Sequence, residues 1–342
     1  MRCWRLAWSE AERAASRGDA AFPSGASNRR GGQEAETQPL CSFLSTTTNC
    51  CVIGALDPAH YEVVPIGITR DGQWLTHGDP MARLSAASPL IALASGAELT
   101  PVELDEADRS RASGALPSVL GGDVDVVFPV LHGPMGEDGS VQGMLELAGL
   151  PYVGSGVLGS AVAMDKAIAK TIFEREGIPQ VEWTLIQRRD WERDPDGVVA
   201  QISEKLGFPC FTKPANMGSS VGVGKATNPA ELADSLHLAA RYDRRIVVEK
   251  GVSARELEIL VLGNDTPIAS VAGEVVSSNK FYDYAAKYID NRSDFYVPAE
   301  IDDATLAEVQ DIAVRAFRAL DLAGLARVDF FLTPDDQVIA NE

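Results

Sequence analysis

The chain has 342 residues, enough for roughly two or three cores, with 45% hydrophobic and 23% charged residues, an ordinary globular balance. Its net charge of -19 and pI near 4.6 argue against a nucleic-acid partner or an anionic membrane surface, so an anionic ligand needs a local basic pocket. No apolar run approaches a membrane span, and the five cysteines (Cys3, Cys41, Cys50, Cys51, Cys210) have neither zinc-like spacing nor a disulfide framework, which favours a reducing cytosol.

Residues 1–51 mix Arg, Ser, Gly, Thr and Glu without a helical or strand period and read as disordered. From Val52 the texture changes. Residues 52–56 read as the end of a helix stopped by Asp57-Pro58. Residues 61–68 read as a strand, Arg70-Asp71-Gly72 as a turn, and Trp74-Leu75 as a resumed strand. Residues 77–118 read as loop and helix. Residues 123–131, D-V-D-V-V-F-P-V-L, are apolar enough for a strand buried on both faces, ending at His132-Gly133. Ligands in open α/β sheets bind beyond the carboxyl ends of strands, where His132 sits, although a single histidine there is more often a structural hydrogen-bonder. A helix is expected over 141–147, closed by Gly149, then a short strand over 151–153.

A helix over 165–176, ended by Gly177, carries Lys166 and Lys170 one turn apart; alone these read as a solvated basic face. A strand over 181–186, a helix over 197–206 and a strand over 208–212 lead into K-P-A-N-M-G-S-S-V-G-V-G-K, residues 213–225. In that loop Gly218, Gly222 and Gly224 would admit close backbone approach to a ligand, Ser219 and Ser220 offer hydroxyls and N–H groups, and Lys213 and Lys225 place charge at both ends. A Gly-rich hairpin turn with solvated lysines is an equally open reading of the loop by itself, and it is neither a Walker A loop nor a dinucleotide fingerprint.

Beyond it, the pattern gives a helix over 229–242 and strands over 245–250, 257–262 and 268–276. A long polar and aromatic loop follows over 277–298, then a helix over 303–320. Strands over 326–332 and 337–341 turn at Pro334-Asp335-Asp336. That last hairpin brings Asp329 near Glu342, two carboxylates that can share a divalent cation with substrate phosphates. Lysines on a helix, a strand end and a polar loop (Lys166, Lys213, Lys287), a Gly-Ser loop, Glu249-Lys250 and an Asp/Glu pair beside Arg327 are together the parts for moving the γ-phosphoryl group of a metal-bound nucleotide.

Several ordered blocks carry a closer likeness: L-H-G-P-M-G-E-D-G-S-V-Q-G-M-L-E-L-A-G-L-P-Y-V-G-S-G, M-D-K, the residue 213–225 loop, V-E-K, F-Y-D-Y-A-A-K-Y and A-R-V-D-F-F. From about residue 52 to its end the chain resembles a D-alanine–D-alanine ligase of the ATP-grasp superfamily. The resemblance implies an α/β chain of three domains, an N-terminal doubly wound substrate domain (52–155) and two α+β ATP-grasp subdomains (156–252 and 253–342) after the atypical 1–51 segment. It implies that Lys166, Lys213 and Lys287 contact ATP phosphates and that the loop with Ser219 and Ser220 closes over them. It places Glu249, Lys250 and Val252 at adenine, Glu256 at ribose, and Asp329 and Glu342 on Mg²⁺ or Mn²⁺. Arg327 and His132 would face the D-alanine chemistry, and Tyr288 after Lys287 marks the dipeptide-forming type rather than the D-lactate-forming one.

The implied reaction makes D-alanyl-D-alanine through an acyl phosphate for peptidoglycan and cell-wall synthesis in the cytoplasm, with D-alanine and ATP as partners, no nucleic acid or membrane, and a homodimer as the family habit. The alternatives are another ATP-grasp carboxylate–amine ligase, of the type that joins D-alanine to D-lactate, or an inactive ATP-binding pseudo-ligase fragment. Two departures stand out. The family's opening strand and G-G-x-S-x-E-x-x-V-S loop have no counterpart in residues 1–51, where Gly31-Gly32-Gln33-Glu34 is only an echo, as if another reading frame were fused to a normal body. The family's x-N-x-x-P-G continuation does not follow Glu342, which leads to an expectation of weak or no activity.

Overall fold

The computed structural model describes residues 53–68, 74–75, 124–218, 220–276 and 294–342, and the chain divides into two compact units, Met1–Asp125 and Val126–Glu342. In the first unit a helical turn at 53–55 ends at Asp57. The Asp57 carboxylate accepts the Ala59 N–H at 2.9 Å, and its carbonyl accepts those of His60 and Tyr61 at 2.9 and 3.0 Å. Strand β1 (Gly67–Ile68) pairs antiparallel with β2 (Trp74–Leu75), Gly67 opposite Leu75. The strand expected over 61–68 is thus confined to its last two residues. Positions 61–66 have no ladder partner among the described residues, and Tyr61 and Val64 are exposed. Residues 1–52, the turn at Arg70-Asp71-Gly72 and the loop and helix expected over 77–118 lie outside the described residues.

The second unit opens with a correction. Residues 124–131 do not form a strand buried on both faces. A single parallel bridge joins Val127 to Tyr152, with Val127 N–H donating to Pro151 O at 2.8 Å, and Val126 and Phe128 are 50% and 46% exposed. Burial on both faces requires more neighbours than the one strand-like partner found among the described residues. Helix α1 (Ser140–Ala148) ends as expected at Gly149, which adopts a left-handed φ of 70°. Next comes α2 (Val157–Met164), which the sequence pattern did not suggest. Gly159 inside it argues against a helix by propensity, but tertiary packing requires it. A Cβ there would sit 2.4 Å from the Asp321 carbonyl oxygen, a backbone atom that cannot swing aside. Gly159→Ala should therefore destabilise the protein by about 1–3 kcal/mol through overpacking, read as a lower thermal-unfolding midpoint; an unchanged midpoint would show that α2 slides freely past residues 320–321.

Helix α3 (Lys166–Arg175) starts on Asp165, whose carboxylate accepts the Ala167 and Ile168 N–H groups, both at 3.1 Å. It is followed by β3 (Trp183–Gln187), a short α4 (Arg188–Arg193) that the pattern also missed, α5 (Pro195–Lys205), β4 (Cys210–Pro214), β5 (Gly224–Ala226), α6 (Pro229–Ala240) and β6 (Arg245–Lys250). The strand expected over 208–212 is shifted two residues onward, past Pro209, which has no N–H to give a ladder. Helix α6 begins with Asn228 accepting the Glu231 N–H at 3.0 Å while Glu231 accepts the Thr227 N–H at 2.8 Å, and Pro229 sits where no amide is needed. The four strands form an antiparallel sheet in the order β3-β6-β4-β5. One face, with Cys210, Ile246 and Val248, packs with Ile202 of α5 and Leu232 and Leu236 of α6.

The chain then builds a second antiparallel sheet. Its strands are β7 (Arg255–Gly263), β8 (Ile268–Ala269), β9 (Gly273–Val276), β10 (Asp294–Tyr296), β11 (Gly324–Leu332) and β12 (Val338–Ala340), in the order β10-β9-β7-β11-β12 with β8 also on β7. The strand expected over 268–276 is broken at Ser270, whose hydroxyl accepts the Leu260 N–H at 3.0 Å in place of a ladder carbonyl. The long loop expected over 277–298 contains β10; residues 277–293 lie outside the described residues. Helix α7 (Asp303–Ala319) covers one face, capped by Asp302, which accepts the Thr305 N–H at 2.8 Å. Its Val309, Ile312, Ala313, Ala316 and Phe317, at helical spacing, bury against Leu257, Ile259, Val328 and Phe330. The two sheets are linked at Pro179-Gln180, where Ala340 N–H donates to Pro179 O at 2.8 Å.

Candidate active site

The period-two alternation of β4 and β6 gives the four-stranded sheet a second face. Cys210 and Thr212 point to α6, where the Thr212 hydroxyl donates to Ser235 O at 3.1 Å. Lys213, Val247 and Glu249 point the other way, and Val247 packs with Ala167 at the start of α3 and with Ala215. Lys166 and Lys170, four residues apart on α3, share the face that meets this sheet. The solvated basic face that the helix alone suggests is not found: Lys166 and Lys170 are buried, because the helix face they occupy is covered by the sheet.

One carboxylate joins two of these lysines. Lys213 Nζ lies 2.6 Å from Glu249 Oε2 and Lys170 Nζ lies 2.9 Å from Glu249 Oε1. The second pair is close but poorly aligned, so neither Lys170 Nζ nor Glu249 Oε1 makes a hydrogen bond within the described structure. Burial pushes the Glu249 pKa up, but the charges of Lys213 and Lys170 outweigh it and hold the carboxyl below the usual glutamate value. Burial likewise works against the Lys213 ammonium, yet Glu249 and then Glu342 keep its pKa above the ordinary lysine value. For Lys170 burial wins over Glu249, and its pKa is lowered.

The β11–β12 hairpin closes the site from the other sheet. Phe330 faces Ala340 across it, and beyond that pair Asp329 N–H donates to Glu342 O and Asn341 N–H to Asp329 O, each at 2.8 Å. The expected proximity of Asp329 and Glu342 is thus present. Lys213 Nζ donates to Asn341 Oδ1 at 3.3 Å. Lys166 Nζ sits 2.7 Å from Glu342 Oε1 and donates to Met217 O, in the glycine loop, at 2.7 Å. On β11, Val328, Phe330 and Leu332 face α7, so Arg327 and Asp329 face the opposite side, where Asp329 pairs in register with Glu258 and Phe331 with Glu256. Arg327 clamps Asp329 with Nε to Oδ1 at 2.6 Å and Nη2 to Oδ2 at 2.8 Å, and its Nε is 3.6 Å from Glu258 Oε1.

The other expected site residues divide in their placement. Lys250 is exposed, 3.9 Å from Glu182, and Val252 is exposed beyond the end of β6. Glu256 is part-buried and contributes to the field at Lys213. His132 is exposed, in front of a turn held by Glu137, which accepts the Gly133 N–H, and by Asp138, which accepts that of Met135 at 2.9 Å. The glycine loop reaches this turn: a Cβ on Gly218 would lie 3.6 Å from Gly133 Cα. Ser220 has a left-handed φ of 58°. Ser219, Lys287 and Tyr288 lie outside the described residues. The ligand-approach reading of the other two glycines needs correction. A Cβ on Gly222, at φ 72°, would strike the Tyr242 ring at 2.6 Å and Pro214 at 2.8 Å, and one on Gly224 would strike Ser235 Oγ at 2.5 Å, so both are small for the fold's sake. Lys225 does not join Lys213; it lies 5.7 Å over the Phe211 ring on the hairpin that β4 and β5 make.

Sequence reasoning did not assign Lys170 or Asn341 to the site. The signal for Lys170 was its four-residue spacing from Lys166, and for Asn341 its place beside Glu342. Chemically, the buried side of this junction offers ammonium groups to phosphate oxygens, and the hairpin offers hard carboxylate oxygens. Among the described residues no group of three or more acidic, histidine or cysteine side chains is assembled as a metal site. Two carboxylates on hydrogen-bonded neighbours, Asp329 and Glu342, nevertheless fit a cation that completes its shell with phosphate oxygens and water rather than with protein alone.

Known proteins resemble the chain over most of its length. A family profile described as D-ala D-ala ligase C-terminus matches residues 172–342, and one described as D-ala D-ala ligase N-terminus matches residues 31–155, beginning earlier than the residue-52 boundary read from the sequence. The D-alanine–D-alanine ligase of Bacillus velezensis is 43% identical over 312 residues, which cover 91% of this chain and 86% of its own. Among solved structures, the VanG D-Ala:D-Ser ligase from Enterococcus faecalis is similar with a TM-score of 0.70 and 32% identity over 89% of this chain and 87% of its own. The D-alanine-D-alanine ligase from Coxiella burnetii gives 0.67 and 32% over 87% and 79%. Among the described residues no helix is long and apolar enough to cross a membrane.

Proposed function

The chain belongs to the D-alanine–D-alanine ligase family, and from that membership we infer that it joins two D-alanine molecules in an ATP-dependent reaction that supplies peptidoglycan synthesis. Its two antiparallel sheets are those of the family's ATP-grasp fold. The observation that carries the reading to a mechanism is the junction between them, where buried Lys166 and part-buried Lys213 meet the Asp329–Glu342 hairpin.

In the proposed reaction the carboxylate of one D-alanine takes the γ-phosphoryl group of ATP, and the amine of the second then displaces phosphate from the resulting acyl phosphate. The chain's own residues position and neutralise charge. Lys213 and Lys166 would hold phosphate oxygens. Lys166 also pins the stem of the glycine loop through Met217 O, so phosphate binding and loop closure share one ammonium. Arg327 and His132 would face the D-alanine carboxyl group. Glu249 has its carboxylate closed between two lysines, so its contribution at adenine would come from its backbone, with Lys250 and Val252. A magnesium or manganese ion, for which Asp329 and Glu342 are the proposed ligands, would supply charge neutralisation at the transferring phosphoryl group.

The deciding experiment is ADP release with ATP, Mg²⁺ and D-alanine, against a control lacking D-alanine, with the product identified by mass. D-alanine-dependent ADP and the D-alanyl-D-alanine mass are expected. Arms with D-serine or D-lactate as second substrate test the acceptor: faster turnover in either arm would reassign it, and no amino-acid-dependent ADP in any arm would overturn the ligase reading.

A further inference from the structure

The Lys213–Glu249–Lys170 group contains more charge than phosphate binding by Lys213 requires. Glu249 and Lys170 are each only 3% exposed at the side chain, whereas Lys213 is 14% exposed and also reaches Asn341. A ligand can therefore approach Lys213 but not Lys170. Lys170 is fixed from behind by α3, whose Lys170 carbonyl accepts the Gln180 side-chain N–H at 2.8 Å.

We propose that Lys170 is a positioning residue for the nucleotide site: its ammonium is the standing counter-ion of Glu249, which leaves Lys213 able to turn to phosphate. The reason is the charge balance of the buried group. A Lys213–Glu249 pair by itself is neutral and closed. To recruit Lys213, a phosphate would have to strip the buried carboxylate of its cation, and an unpaired buried carboxylate is strongly unfavourable. With Lys170 present the group carries one net positive charge, and Glu249 keeps a partner 2.9 Å away when Lys213 leaves.

This inference rests on the ligase reading, and the two can fail separately. Mg-ADP binding by calorimetry and D-alanine-dependent ADP release are measured on the natural protein, on Lys170→Met and on the double variant Lys170→Met with Glu249→Gln. Lys170→Met is expected to raise the Mg-ADP dissociation constant and the KM for ATP about tenfold, the scale of one charge-assisted contact, with kcat held within about threefold. In the double variant the restraining carboxylate is gone, and both values should improve on those of the single variant by about threefold or more. A buried lysine with only a packing role would not be rescued by a second change at Glu249. Unchanged ATP KM in Lys170→Met, or a double variant no better than the single, overturns the inference. If Lys170→Met does not fold, the charge-balanced double variant carries the test by its own Mg-ADP affinity, and loss of binding there overturns it. A natural protein that neither binds Mg-ADP nor responds to D-alanine overturns the ligase reading instead.

Discussion

Lys213→Met is expected to lower kcat/KM for ATP by about 10²–10³-fold, the range for removing one preorganised group that stabilises developing charge. Lys213 stands at the end of β4 on the face turned away from α6, and its ammonium is shared by Glu249 of its own sheet and Asn341 of the other. Methionine keeps the length of the side chain and removes the charge. The fold should survive, because Glu249 retains Lys170 and the hydrophobic contacts of Cys210, Ile246 and Val248 lie on the opposite face of the sheet. Steady-state ADP release, with a thermal-unfolding control, checks both halves. A loss smaller than about tenfold in a well-folded variant would take Lys213 out of the phosphate-binding role.

Asp329→Asn should be nearly as damaging to turnover, about 10²–10³-fold, with little effect on stability. The substitution removes one of the two hairpin carboxylates and breaks the two-pronged Arg327–Asp329 contact at 2.6 and 2.8 Å. That pair is open to solvent on the Arg327 side, half-exposed, so it contributes only about 0–1 kcal/mol to folding. The backbone bonds of Asp329 to Asn341 and Glu342 do not depend on its side chain and hold the hairpin together. A melting curve that matches the natural protein, together with a collapse in ADP release across a titration of Mg²⁺ or Mn²⁺, is the expected pattern. Turnover within about tenfold would place the reactive cation elsewhere.

Much of the second unit is written in local pattern. The helical spacing of Val309, Ile312, Ala316 and Phe317, the run Arg245–Lys250 and the return of the chain after Pro334 each specify an element without reference to the rest of the fold. Residues three to four apart on a helix, or two apart on a strand, share a face whatever they pack against. For the same reason Lys213 at the mouth of the glycine loop and the meeting of Asp329 with Glu342 were legible from order and spacing. The failures have tertiary causes. Gly159 speaks against a helix until the Asp321 carbonyl is beside it, and Gly222 and Gly224 suggest ligand approach until Tyr242 and Ser235 are seen to need the space.

The sequence by itself determined the family, most of the longer elements of the second unit and several of the residue types that gather at the site, because local periodicity and ordered motifs are properties of the chain. Only the tertiary structure decided which of those charges are buried and to whom they are bound. Lys166 and Lys170 look like a wet basic stripe in the sequence. Their buried, paired state comes from β6 and the β11–β12 hairpin, distant parts of the chain that remove water from them and supply Glu249 to Lys170 and Glu342 to Lys166. Desolvation and pairing depend on what is packed across the gap, and no spacing along one strand or helix encodes that.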